Sequence, residues 1–209
     1  MRALAAALAL AAAAVHGAGA QTPTERLFEA LGQGKAPVAA VLVLGGKVDV
    51  DARNAQGETP LHVAAEKDMP AVVRLLLGAG ARTHARSETG ETALHDAALN
   101  PDPACAKLLL DAGADPRARN DQGESALHWA AYGGNVEVVR LLLERGADPD
   151  AVALDGNLAL HGAAASGSLE TVRLLLPRTH APALRNLAGE TPRDLALARG
   201  YDAVAAELP

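Results

Sequence analysis

Four histidines stand at one fixed interval: His62, His95, His128 and His161, each 33 residues after the last. Such a column suggests metal binding or proton transfer, because a neutral ring nitrogen ligates divalent ions and the ring titrates near neutrality. It equally suits architecture, with each ring holding backbone groups of its own unit. Distance separates the two. A metal-bound ring nitrogen lies about 2 Å from the ion, whereas units stacked one helix apart put successive rings about 10 Å apart. Neighbouring rings cannot share an ion, so the column reads as structural, and no metal or cofactor is expected. Cys105 is the single cysteine. It cannot form an intramolecular disulfide or a thiolate cage, and on an apolar helix face it reads as a small buried hydrophobe, the alternative being a redox-sensing thiol. No nucleophile–base–orienter set, phosphate-cradling loop or supported carboxylate pair occurs, so no catalytic site is expected.

Charge and aromaticity are more informative. Arg53, Arg86, Arg119 and Arg185 form one column, and Glu58, Glu91, Glu124 and Glu190 another. Stacking would draw them out as two parallel ladders of opposite sign. They read either as a solvated edge of mutually screening charges or as a ridge that steers a protein partner. Trp129 and Tyr132 lie three residues apart, so on a helix they share a face. Aromatics are only 2% of the chain, which makes this pair the first choice for an interface anchor, although Trp129 could instead pack against the next unit.

The elements that carry these residues repeat. Residues 57–65 (GETPLHVAA), 90–98 (GETALHDAA), 123–131 (GESALHWAA) and 156–164 (GNLALHGAA) align without a gap, and a fifth copy begins at 189–192 (GETP). A second column keeps the same period: 73–77 (VRLLL), 106–110 (AKLLL), 139–143 (VRLLL) and 172–176 (VRLLL). A third is GADP at 113–116 and 146–149. A period of this length marks a stacked-repeat architecture. In one unit, Thr59 caps a helix and Pro60 suits its first turn. Leu61, Ala64 and Ala65 share one face, residues 67–70 (KDMP) break the helix, and Val72 to Leu77 supply a second one that Gly80 ends. The polar stretch from Arg82 to Glu91 reads as a projecting hairpin. One such pair cannot bury both its faces, and stacking the pairs builds a continuous core.

On these motifs the chain resembles the ankyrin-repeat family over about residues 24–209. The resemblance implies an all-α solenoid of helix-turn-helix units with β-hairpin-like loops. It further implies that Thr59 with His62, Thr92 with His95 and Ser125 with His128 bond to one another and to backbone, His161 being an exception because Leu158 replaces the hydroxyl. It implies a concave binding surface made of the first helices and hairpin tips, on which Tyr132 sits with Glu66, Leu99, Asn100, Ala165 and Ser166 at the matching positions. The expected organisation is a leader at 1–20, a linker at 21–23, an N-terminal capping unit at 24–56, units at 57–89, 90–122, 123–155 and 156–188, and a C-terminal cap at 189–209. The fourth unit should be the most irregular and mobile, the alternative being a local apolar contact site: Val152 and Asn157 break the charge columns, Leu154 and Leu158 stand nearby, Pro177 cuts the second helix and Thr179 replaces the closing glycine.

The beginning of the chain reads as an export signal: Arg2, the uncharged apolar run Ala3 to Val15, then Ala18-Gly19-Ala20 before a cleavage expected at Gln21. Alanine runs and fifteen arginines against four lysines suggest a GC-rich bacterial source, hence a periplasmic or secreted protein. A net charge of −6 and few aromatics argue against nucleic acid as a ligand. No later segment reaches membrane-spanning length without charges. The expectation is a monomeric, non-catalytic scaffold for an unidentified protein partner. The alternatives are an immunity protein that neutralises a toxin and a secreted host-directed effector.

Overall fold

The structure, a computed structural model, describes residues 21–209; the expected leader at 1–20 lies outside them. The helices come in consecutive pairs. They are α1 (Pro23–Gly32) with α2 (Ala36–Leu44), α3 (Pro60–Glu66) with α4 (Pro70–Gly78), and α5 (Ala93–Ala98) with α6 (Ala104–Asp111). Then follow α7 (Ala126–Tyr132) with α8 (Val136–Glu144), α9 (Ala159–Ser166) with α10 (Leu169–Leu175), and α11 (Pro192–Ala198) with α12 (Asp202–Glu207). This is an all-α stack of helix-turn-helix units joined by hairpin-like loops. Among the described residues the one extended pairing is an isolated antiparallel bridge between Arg119 and Ser125.

Helices this short do not persist alone in water; stacking makes them stable. Leu61, Leu94, Leu127 and Leu160 stand one period apart and are fully buried, as are Leu76, Leu109, Leu142 and Leu175 on the second helices. The alanine pairs after each histidine let successive first helices approach closely. The approach is tightest between α7 and α9, where a methyl group on Gly162 would sit 3.1 Å from the Tyr132 nitrogen.

The loops are stitched as firmly as the helices. Inside each hairpin one strand-like pair closes the turn, as in Ser87 N–H to Glu91 O at 2.9 Å and Asn120 N–H to Glu124 O at 2.9 Å. From tip to tip, Glu88 N–H donates to Gln56 O, Asp121 N–H to Thr89 O, Leu154 N–H to Gln122 O and Leu187 N–H to Asp155 O, at 2.8–3.1 Å. The tips therefore pack on one another instead of projecting singly. Gly156 shows the consequence: φ is +84°, and an added Cβ would lie 2.8 Å from the Leu187 nitrogen.

One boundary differs from expectation and another follows it. The first helix starts at Pro23 and is capped by Thr22, whose hydroxyl accepts from Glu25 N–H while the Glu25 carboxylate accepts from Thr22 N–H. A capping box before a proline outweighed the alignment register, so residues 22 and 23 belong to the stack and not to a linker. In the fourth unit α10 stops at Leu175 and a 3-10 turn covers Leu176–Arg178. Pro177 denies the α-helical bond, and Thr179 takes an extended conformation (φ −92°, ψ 125°) with its hydroxyl donating to Leu175 O. The left-handed turn that glycine makes at Gly80, Gly113 and Gly146 is not needed here.

Candidate protein-binding face

Each histidine is spent on its own fold. Thr59 N–H donates to His62 Nδ1 at 3.1 Å, and the Thr59 hydroxyl lies 2.8 Å from the same atom. Because a backbone N–H can only donate, Nδ1 is the acceptor and Nε2 carries the proton, which goes to Glu91 O at 3.2 Å in the next hairpin. His95 and His128 repeat the pattern with Thr92 and Ser125, reaching Glu124 O and Asn157 O. His161 receives only Leu158 N–H and reaches Glu190 O. Burial pushes all four pKa values below the ordinary 6.5, the backbone bonds opposing that only in part. The column therefore consists of neutral rings that tie one unit to the next. Among the described residues no group of three metal-ligating side chains gathers.

The two charge columns do not screen each other as a solvated edge would. The arginines reach backbone: Arg53 to Gly57 O and Arg86 O, Arg86 to Arg119 O, and Arg119 to Gly123 O and Val152 O. Each thus links its hairpin to the following one. The glutamates turn toward the loop's own polar groups: Glu58 accepts from Asn54, Glu91 from Ser87, Glu124 from Asn120 and Glu190 from Asn186. Arg185 in the last hairpin bonds Gly189 O and Asp194.

The matching positions along the inner helices divide into two kinds. Leu99 (48% exposed) and Tyr132 (62%) are open, and Glu66 is open beside Lys67, its ion-pair partner. Asn100 and Ser166 are partly buried and committed: Asn100 donates to Ala65 O at 2.8 Å, and the Ser166 hydroxyl lies within bonding distance of Ala163 O and Ala131 O. Ala165, expected on the open strip, is buried; its helix α9 runs to Ser166, one residue past the equivalent end of α7.

Trp129 is held from behind. Its indole N–H donates to Glu124 Oε2 at 2.9 Å, and its ring meets the His95 ring edge-on at 5.6 Å. Its ring thus packs against the preceding unit. On the other side the column position one period on is Gly162, which carries no side chain to cover it. A cleft of about 290 Å³ opens there, lined by Trp129, Tyr132, Leu99, Leu158 and Gly162, with Glu124, Asp155, Asn157 and His128 as its polar members. Sequence reasoning did not find this cleft, although one signal was legible: the column Val63, Asp96, Trp129, Gly162, Leu195 drops to glycine beside its tryptophan.

Two more side chains were missed or left open. Asp96, in that same column, has a buried oxygen with no hydrogen-bond partner. Burial, and then the Glu58, Glu91 and Glu66 carboxylates, hold its pKa well above the usual carboxylate range. The Cys105 thiol is fully buried 3.5 Å from Asp68 Oδ1, and desolvation, with that carboxylate's help, raises its pKa to about 12. It stays protonated and shielded, as a packing residue does.

Comparison with protein families agrees with this geometry. A model of three ankyrin repeats matches residues 27–120 and 80–153, and a single ankyrin-repeat model matches residues 155–187. The first match includes most of the unit expected as the N-terminal cap, residues 24–56. No curated protein matches the chain. Among the described residues no helix is long and apolar enough to cross a membrane.

Proposed function

The chain belongs to the ankyrin-repeat family, whose members generally mediate protein–protein interaction, and from that premise we propose that it is a non-catalytic scaffold holding a protein partner on its inner face. One observation carries this reading: exposed Tyr132 and Leu99 flank half-buried Trp129 at the mouth of a cleft, on a face otherwise made of buried alanines and committed polar groups. Aromatic anchors beside a desolvated recess are where binding energy concentrates. The histidines, arginines and most of the polar strip hold the stack rigid, so little ordering cost falls due when a partner docks.

The test is placement of the partner. A photo-crosslinking amino acid at Tyr132 captures it in cells, whereas the same group at Arg140, on second helix α8, does not. Equal capture from both positions would remove the inner face as the interface. Export belongs to the same proposal and rests on the residues of 1–20 alone. Amino-terminal sequencing of the mature protein should begin at Gln21, and a retained Met1 would refute it.

A further inference from the structure

The bonding capacity left over in the cleft identifies what it takes. Most of its side-chain donors are spent: the Trp129 indole on Glu124, one N–H of the Asn157 amide on Asp155 Oδ2, and His128 Nε2 on Asn157 O. The Tyr132 hydroxyl and the second Asn157 amide N–H remain. Its acceptors are not spent. Glu124 uses only Oε2, for Asn120 and Trp129. Asp155 accepts only from its neighbour Asn157. Each carboxylate has about four lone-pair sites, so half or more of that capacity is open. Among the described residues no cation pairs with either one. The nearest arginine of the column, Arg119, is committed to the Gly123 and Val152 carbonyls.

Size and shape narrow the occupant. At about 290 Å³ the cleft stands at the lower end of the roughly 300–1,000 Å³ of ligand pockets, enough for one large side chain. The walls are apolar, with an aromatic face on one side and Leu158 on another. One period back, the Glu58, Glu66 and Glu91 carboxylates act on buried Asp96 and add to the negative charge of this face. An apolar or acidic side chain would leave two carboxylates desolvated and unpaired. A guanidinium meets both needs: its plane stacks on an indole and its several N–H groups donate to carboxylates.

Resting on the inner-face reading above, we infer that the cleft between the third and fourth units is a receptor for an arginine side chain of the protein partner, its stem against Trp129 and Leu158 and its head at Glu124 and Asp155.

Trp129 is the sole tryptophan, so its fluorescence reports this cleft alone. The probes are blocked alanine pentapeptides with a central arginine, lysine, leucine or glutamate, titrated to about 10 mM against the mature chain. The arginine peptide should give a saturable change and bind several-fold tighter than the lysine one, the leucine and glutamate peptides being weaker still. Glu124→Gln with Asp155→Asn should weaken the arginine peptide about tenfold while leaving the unfolding midpoint nearly unchanged, and added salt should weaken it further. A leucine peptide that binds as well as arginine, no saturable response to arginine, or an indifferent double variant would each overturn the inference. These outcomes leave the scaffold reading intact, because that reading is tested separately, by crosslinking from Tyr132 against Arg140 and by the partner's affinity for the Trp129 and Tyr132 double variant.

Discussion

At the residue scale the account turns on buried polar groups that have partners and one that has none. His95→Ala should destabilise the chain by about 1–2 kcal/mol, leaving Thr92 and Glu124 O unsatisfied. His161→Ala should cost less, because Leu158 offers no hydroxyl to strand. Urea unfolding of the two variants checks the order, and equal losses would contradict it. The same rings set an acid limit. Burial lowers their folded-state pKa values, so below pH 6.5 the unfolded chain takes up protons first. Stability should be full above pH 6.5 and decline as pH falls through that value, read as a falling urea midpoint between about pH 7 and 5. Asp96 has the opposite sign. Its raised pKa makes the folded chain hold a proton that the unfolded chain releases above about 3.8, so its contribution is present in acid and lost as pH rises through the folded value. Asp96→Asn should therefore raise the neutral-pH midpoint, and the gain should vanish toward pH 4. The roles of the histidines were legible in their spacing. The orphaned oxygen of Asp96 was not, because only a fold brings carboxylates from three neighbouring positions around it.

At the element scale the hairpins behave as one stitched edge. Gly156 and Gly189 share the same left-handed φ, +84° and +82°, yet only Gly156 has a following hairpin pressed against it. Gly189→Ala should cost about 1 kcal/mol, the price of the backbone conformation alone. Gly156→Ala should cost at least about 2 kcal/mol, since backbone must also move away from the new methyl. Thermal melts of the pair test this, and equal costs would mean the tips are not in contact. Arg86→Ala should cost about 1 kcal/mol with little salt dependence, because its main acceptor is the Arg119 carbonyl. The ladder of like residues was visible in the sequence, but the atoms they reach were not: a column of charges looks the same whether it faces water, carboxylates or carbonyls. The broken second helix of the fourth unit was legible, since proline has only a few outcomes in a helix.

At the scale of the molecule, stability is shared between neighbours, and the surface left over is what function can use. The repeat period carried almost all of this architecture, because 33-residue identity leaves no other way to bury the leucine columns. What it did not carry is where the stack is incomplete. The cleft beside Trp129 is lined by residues of the third and fourth units together, with Leu99 of the second, and such a space exists only once units are laid side by side. The most direct test of the account is an affinity titration of the purified, crosslink-identified partner against the mature chain and against Trp129→Ala with Tyr132→Ala. The account predicts that the double variant keeps its fold and loses about 2 kcal/mol or more of binding, roughly thirtyfold in Kd. Unchanged affinity in a folded double variant would contradict it.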